Sequence, residues 1–129
     1  MNERFFLVES ELDTLYLVSQ LLNSTHNLRD KLKGILEILH KRTNLHFGMI
    51  TLRDDDGMSI CEVYGEGIDR NVRYQFGEGL VGAILDAGST IVVDKIANEP
   101  RFLSRLGVYN PNLPFIGSPL LAEQSEIVG

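Results

Sequence analysis

Residues 74–94 have the sequence YQFGEGLVGAILDAGSTIVVD, in which several local patterns follow one another. Alternation over Val72–Phe76 predicts a strand, with Tyr74 and Phe76 on one face and Arg73 and Gln75 on the other. Gly77–Gly79 is typical of a turn. Apolar residues then recur at helical spacing until Ala87-Gly88, and Ile91–Val93 is a short β-branched run. The stretch therefore predicts a strand, a glycine turn, a short helix and a second strand.

Two amphipathic helices are predicted before this stretch. The first spans about residues 7–23, where one apolar stripe contains Val8, Leu12, Leu15, Val18, Leu21 and Leu22. Asn27 is predicted to cap the second helix, and Asp30 lies in its first turn, where a carboxylate favours the positive end of the helix dipole. Beyond that cap, leucine and isoleucine recur at three- and four-residue steps opposite a charged face.

The period changes to two after the second helix, which predicts a sheet. Residues 46–52 alternate as a strand, Asp54–Gly57 has turn chemistry, and Ser59–Tyr64 supplies the returning strand of a hairpin. Downstream, Arg101–Leu106 predicts one or two helical turns and Pro114–Leu121 a strand. Helices followed by an antiparallel meander predict an α+β fold, with the helices on one face of the sheet and ligands or partners on the other.

The end of the sequence predicts a further turn and strand. Glu123–Ser125 is typical of a turn, and Ile127-Val128 resembles the opening of a strand. We therefore expect the chain to be a fragment of a longer regulator, with a last strand and a closing helix truncated. Residues 1–129 are expected to form one domain, with the first helix in 1–26 and the second helix and sheet in 27–129.

Composition excludes several classes of protein. The chain has 129 residues, 43% hydrophobic and 23% charged, as expected for one soluble domain, and no apolar run approaches the ~18 residues of a membrane span. A net charge of −6 disfavours direct binding to nucleic acid or anionic lipid. The single cysteine, Cys61, cannot form an internal disulfide, and the N-terminal apolar run is too short for a signal peptide. We expect a cytoplasmic location.

The central stretch resembles the signature of GAF domains, and the resemblance extends over essentially the whole chain. In that family a strand ends in a Gly-x-Gly turn, a short helix follows and ends at a glycine, and a strand followed by Asp leads into a variable lid. Tyr64-Gly65, Glu99–Phe102 and Ser118–Leu120 provide supporting matches. The physical chemistry agrees, because Gly77 and Gly79 allow positive φ and a close backbone approach at the junction of strand and helix.

The N-terminal helix and the segments 73–79 and 99–103 are similar to the amino-terminal GAF domain of nitrogen-fixation (Nif-specific) transcriptional activators. The resemblance implies a regulatory sensory domain that is not an enzyme, that binds a small effector, with 2-oxoglutarate as the candidate, and that controls a C-terminal AAA+ ATPase. This chain contains no phosphate-binding Gly-x-x-x-x-Gly-Lys-Ser/Thr loop of its own. We expect no cofactor and no membrane association.

The resemblance also implies which residues line the effector pocket. They come from the third strand, the start of the following helix and the loop after the next strand: Tyr74, Phe76, Leu80, Val81, Asp94 and Phe102. The heptad-like row of Val8, Leu15 and Leu22 predicts a homodimer interface, parallel or bundle-like, although the same stripe could instead pack on the sheet or second helix.

Two other functions remain open. A ligand-free dimerisation or protein-interaction module, regulated by a partner protein, requires only the apolar helix. Cyclic-nucleotide binding fits the fold, but the sequence has no convincing Asn-Lys-Phe-Asp-Glu motif. His26, His40 and His46 lack metal-ligand spacing, and Asp54–Gly57 lacks the ligand pattern of a calcium loop, so no metal is expected.

Overall fold

The computed structural model describes residues 3–65, 69–102 and 110–129, with side chains from Val8 onward in the first helix. The helices are α1 (Glu3–Leu22), α2 (Leu28–Thr43) and α3 (Gly79–Ala87). The strands are β1 (Gly48–Arg53), β2 (Met58–Tyr64), β3 (Arg73–Tyr74), β4 (Ile91–Val93) and β5 (Phe115–Gly117). A short 3-10 turn occupies Ile96–Asn98. The α+β class predicted from the sequence is confirmed.

The described chain divides into two compact units. The first contains α1, α2, the start of β1 and the end of β2. Asn27 caps α2 by accepting a hydrogen bond from the Asp30 backbone N–H at 2.9 Å, as predicted. Helices α1 and α2 pack closely at Gly34, where an added Cβ would lie 2.5 Å from Leu21 Cδ2.

Aromatic and polar contacts complete this first unit. The His40 ring stacks on Tyr64 with centroids 4.4 Å apart, and its Nδ1 donates to the Leu45 carbonyl oxygen at 2.6 Å. The Glu62 carboxylate is buried, with the Arg29 Nε at 3.8 Å. A buried carboxylate is tolerated only with such partners.

The second unit holds the rest of β1 and β2 and the described residues from Asp69 onward. Strands β1, β2 and β3 are hydrogen-bonded in that order, and β2–β3 is antiparallel with Met58 opposite Tyr74. Strands β4 and β5 form a separate antiparallel pair. The core of the unit consists of Met58, Ile60, Tyr74, Leu80, Ile84, Val93 and Ile96.

Glycines permit the closest approaches around α3. Gly77 and Gly79 have φ of 74° and 61°, and Gly88 ends the helix at φ 64°. A Cβ on Gly82 would lie 2.6 Å from the carbonyl carbon of Gly77, so helix and turn contact each other through backbone alone. The predicted roles of the glycine turn and of the helix-ending glycine are therefore confirmed.

The final residues form a hairpin against β1. Gln124 and Ser125 both have positive φ, 60° and 62°, as in a type I′ turn. The Val128 N–H donates to the Leu120 carbonyl oxygen at 2.9 Å, and the Val128 carbonyl oxygen accepts from the Arg53 N–H at 2.7 Å. The predicted turn and strand opening are both present, and Val128 pairs on both sides.

Two sequence expectations need correction. The third strand, predicted over Val72–Phe76, is only the two residues Arg73–Tyr74, because the chain turns immediately afterwards into the helix-preceding loop. The last predicted strand, Pro114–Leu121, is divided into β5 and a single bridge from Leu121 to Ile127. Of the helical turns predicted over Arg101–Leu106, residues 103–106 lie outside the described residues.

Candidate functional site

A cavity of about 390 Å³ opens between the β1–β2 turn, strand β3 and the residue before α3. All of its walls belong to the second unit. Its lining consists of Asp56, Asn71, Val72, Arg73, Tyr74, Gln75 and Glu78. This volume lies in the range of small-molecule sites, but the lining is more polar than is usual for them.

The β1–β2 turn is held by its own polar groups. The Asp54 N–H donates to the Gly57 carbonyl oxygen at 2.8 Å, and the Asp54 carboxylate accepts from the Asp56 N–H at 3.0 Å. Gly57 follows with φ 152°, and a Cβ there would collide with the Tyr74 carbonyl oxygen. Only glycine therefore allows the turn to lie this close to β3.

Arg73 joins this turn to β3. Its Nη2 donates to both carboxylate oxygens of Asp54, at 2.7 and 2.8 Å. The pKa of Asp54 is lowered from its ordinary value of 3.8. The hydrogen bond from Arg73 is the largest cause, and the hydrogen bond from the Asp56 backbone N–H is the next. The same pairing raises the pKa of Arg73. The ion pair is partly exposed, so an incoming anion can compete with Asp54 for the guanidinium.

The opposite wall is a tight turn leading into α3. The Glu78 N–H donates to the Gln75 carbonyl oxygen at 3.0 Å, and a Glu78 carboxylate oxygen accepts from the Gln75 N–H at 3.1 Å. Glu78 is the N-cap residue of α3, and its side chain makes no capping bond to the helix. A carboxylate is thus fixed at the mouth of the cavity.

The structure places the predicted pocket residues in two groups. Tyr74 is buried in β3 and lines the cavity, whereas Leu80 is 2% exposed in the core and Val81 is half-buried in the first turn of α3. Phe76 is 47% exposed, with the Arg53 guanidinium 5.0 Å above its ring. The alternation that placed Phe76 beside Tyr74 ends with β3.

The other predicted residues follow β4. Asp94 is exposed directly after that strand, and Phe102 packs edge-to-face on Phe115 of β5 with ring centroids 5.5 Å apart. Backbone hydrogen bonds from Ile96 and Ala97 to residues 113 and 111 hold this loop beside β5. Neither Asp94 nor Phe102 lines the described cavity.

Sequence reasoning missed most of the polar lining: Asp56, Asn71, Arg73, Gln75 and Glu78. Alternation places Arg73 and Gln75 on the strand face opposite Tyr74, and the sequence pattern places Asp56 in a turn. Pairing of β2 with β3 brings the turn beside Arg73, and no local sequence pattern indicates this pairing.

Other kinds of site find no support in the described part of the chain. Within residues 3–65, 69–102 and 110–129, no group of three or more His, Cys, Asp or Glu side chains could hold a metal ion. Every buried side-chain nitrogen or oxygen in those ranges has a hydrogen-bond partner. None of the described helices is long and apolar enough to cross a membrane.

Comparison with known proteins identifies relatives in nitrogen fixation. A Nif-specific regulatory protein from Enterobacter agglomerans is 32% identical over 133 aligned residues, which cover 98% of this chain and 26% of that protein. Nitrogen fixation protein VnfA from Azotobacter vinelandii is 32% identical over 85% of this chain and 23% of its own length. The chain therefore spans about a quarter of the length of these relatives.

Solved structures and a family model agree on the fold. The GAF domain of A. aeolicus Nlh2, crystallised in an inactive state, superposes with a TM-score of 0.85 at 19% identity, covering 95% of this chain and 78% of that one. At that identity the likeness shows the fold alone. The model of the GAF domain family matches residues 27–129, from the N-cap of α2 to the last residue. The chain therefore belongs to the GAF domain family.

Proposed function

We propose that the chain is the sensory regulatory domain of a nitrogen-fixation-type transcriptional activator in the cytoplasm, and not an enzyme. The observation that carries the proposal is the alignment of nearly the whole chain with Nif-specific regulatory proteins. Residues 27–129 form the GAF domain in this proposal, and residues 1–26 supply a preceding helix. The longer protein contains an AAA+ ATPase that this domain controls.

The cavity beside Arg73 supports binding of a small effector there. Its lining carries a guanidinium and the carboxylates of Asp56 and Glu78, and Asp54 pairs with the guanidinium. 2-Oxoglutarate, the candidate from the family resemblance, brings two carboxylates and must displace Asp54 to reach Arg73. An amino acid brings one carboxylate and one ammonium, so its charges match a lining that contains both signs.

Effector binding controls the ATPase by population shift. A ligand changes the equilibrium between two arrangements only if its affinity for them differs. The element that changes its arrangement is helix α1 in a homodimer. Val8, Leu15 and Leu22 form the interface, because these apolar side chains are exposed on one face of the helix. The effector state is then transmitted as a change in dimer geometry.

A thermal-shift screen of the chain against 2-oxoglutarate, single amino acids, cyclic GMP and cyclic AMP tests the proposal. At about 100 times its dissociation constant a ligand stabilises the native state by about 2.7 kcal/mol, which is several degrees for a domain of this size. A saturable shift with one compound identifies the effector class. A shift with a cyclic nucleotide alone instead supports the cyclic-nucleotide alternative.

Two variants locate the bound effector. Asn71→Ala removes a polar group from the cavity, whereas Asp94→Asn changes a residue that the family resemblance assigns to the pocket and that lies outside the cavity. Loss of the shift only in Asn71→Ala places the effector in the cavity. Loss only in Asp94→Asn rejects the cavity and supports the loop after β4.

A ligand-free dimerisation or protein-interaction module is the second candidate. The exposed apolar face of α1 favours it, because large exposed apolar patches mark interaction surfaces. The screen separates the two candidates. No shift with any compound, together with a stable dimer, rejects the sensor and leaves the interaction module.

A further inference from the structure

From Val8 onward, helix α1 has apolar side chains on two sides, and among the described residues one of these sides packs against α2. Leu17, Val18 and Leu21 are half-buried, and Leu21 contacts α2 at Gly34. The other side is exposed, with five large apolar residues between 49% and 64% accessible: Val8, Leu12, Leu15, Tyr16 and Leu22. We call these five residues the outer stripe.

The outer stripe has the geometry of a helix–helix seam. At about 100° per residue, Val8, Leu15 and Leu22 fall within about 40° of one another around the helix. The distance from Val8 to Leu22 is about 21 Å at 1.5 Å per residue, which is close to four turns. A straight row of this length fits a second helix lying nearly alongside.

The charges beside the outer stripe are unequally distributed along α1. Among the side chains described from Val8 onward, Glu9 and Glu11 flank the start of the stripe, and residues 14–22 contain no charged side chain. At the other end the Lys31 ammonium donates to the Leu22 carbonyl oxygen at 2.8 Å. Lys31 belongs to the start of α2, where Arg29 and Lys33 are also basic and only Asp30 is acidic. One end of the stripe is therefore acidic and the other basic.

This asymmetry decides between the two ways of pairing α1 with its copy. A parallel pair places Glu9 and Glu11 of one protomer beside the same two residues of its partner, and the two Lys31 ammonium groups beside each other. An antiparallel pair places each acidic segment beside the partner's Lys31 instead. Symmetry about Leu15 also sets Val8 opposite the partner's Leu22, so apolar contact is kept along the whole stripe.

We propose that the outer stripe binds a second copy of this chain in antiparallel orientation, with Leu15 at the two-fold axis. The inference rests on the homodimer proposed above and adds its orientation and its electrostatic contacts. All the groups involved belong to α1 and the first turn of α2, within the first unit. The second copy matches the outer stripe both in the spacing of its apolar residues and in the sign of the charges at its two ends.

Site-specific cross-linking tests the orientation. In a Cys61→Ala background, chains carrying Val8→Cys and chains carrying Leu22→Cys are mixed, allowed to exchange subunits and treated with a short bismaleimide. The antiparallel pair gives mixed dimers, linked from position 8 of one chain to position 22 of the other, at least tenfold in excess of dimers linked between identical positions. Predominance of the two products linked between identical positions overturns the proposal in favour of a parallel pair.

Leu15→Cys in the same background is the control, because residue 15 meets its own copy in either orientation. Cross-linking at position 15 shows that this face dimerises, whatever the outcome at positions 8 and 22. Absence of that product rejects the homodimer itself, so the failure of dimerisation is distinguishable from the failure of orientation.

Charge reversal gives an independent readout. Glu9→Lys with Glu11→Lys is expected to raise the dimer dissociation constant at least tenfold, and addition of Lys31→Glu is expected to restore most of the affinity. Lys41→Glu, an exposed position in the last turn of α2, is the matched control and should not restore it. Failure of Lys31→Glu to restore the affinity, or equal restoration by Lys41→Glu, contradicts the proposal, because only the antiparallel pair places the substituted residues beside the partner's Lys31.

Discussion

The ion pair between Asp54 and Arg73 makes the stability of the second unit depend on pH. Its hydrogen bond lowers the pKa of Asp54 in the folded chain, so the carboxylate stabilises the native state above its ordinary, unfolded-chain pKa of 3.8. That contribution is lost as the pH falls through the lowered folded pKa. Urea unfolding from pH 5 to pH 2 should therefore show a steeper acid loss of stability in the native sequence than in Asp54→Asn.

Asp55→Asn is the control for that experiment, since Asp55 is an exposed aspartate in the same turn. Identical pH profiles for the Asp54 and Asp55 variants would contradict the role assigned to the Arg73 ion pair.

Gly82 predicts a different kind of single-residue effect, because its neighbour is backbone. The Cβ of alanine would lie 2.6 Å from the Gly77 carbonyl carbon and 2.9 Å from Gly77 Cα. Since a backbone cannot rotate away, we expect Gly82→Ala to lose about 1–3 kcal/mol of unfolding free energy despite alanine's better helix propensity. Thermal unfolding measures the loss as a fall of several degrees in Tm.

The exposed Asp86→Ala in the same helix serves as the comparison and should change stability by at most about 0.5 kcal/mol. An unchanged or raised Tm for Gly82→Ala would show that the turn at Gly77 can move.

Residue patterns predicted the glycine roles better than the candidate cavity. Gly77, Gly79 and Gly88 could be assigned because positive φ is a local requirement that the sequence displays directly. The cavity depends on Asp54 meeting Arg73, which is 19 residues away. Alternation along one strand assigns faces, but it does not say which turn lies against each face, so only Tyr74 of the predicted pocket residues lines the cavity.

Among the secondary-structure elements, the N-terminus of α2 offers the clearest test. The Asn27 side chain satisfies the Asp30 backbone N–H at 2.9 Å, and that N–H would otherwise be an orphan donor of the first turn. Asn27→Ala is expected to lower the unfolding free energy by about 1 kcal/mol, whereas Asn27→Asp should retain most of it because aspartate also caps well. Equilibrium urea unfolding gives the difference.

Asn23→Ala, at an exposed asparagine just beyond α1, controls for the general effect of removing an amide side chain. Equal losses from Asn23→Ala and Asn27→Ala would argue against the cap as the cause.

Elements with strong periodicity were predictable, and those defined by pairing were not. Helices α1 and α2 carry long apolar stripes, and α3 has a glycine at each end, so their positions agree with the sequence prediction. Strand β3 is two residues long because it pairs with only two residues of β2, Met58 and Ser59. No pattern within 72–76 reports where the partner strand stops pairing, which explains the overlong prediction.

At the scale of the whole molecule, the exposed outer stripe of α1 predicts self-association that a single substitution abolishes. Burying a leucine gives about 1.5–3 kcal/mol, and a two-fold pair buries Leu15 twice, so Leu15→Asp should raise the dimer dissociation constant more than a hundredfold. Light scattering at tens of micromolar should then change from dimer to monomer. Val92→Asp provides the matched control, because Val92 is 65% exposed on β4 and Leu15 is 64% exposed on α1. Since both substitutions add one negative charge at an exposed apolar position, only a specific role of α1 predicts that Leu15→Asp dissociates the dimer while Val92→Asp leaves it intact. Monomer in the unsubstituted chain, or equal effects of the two changes, would contradict dimerisation through this helix.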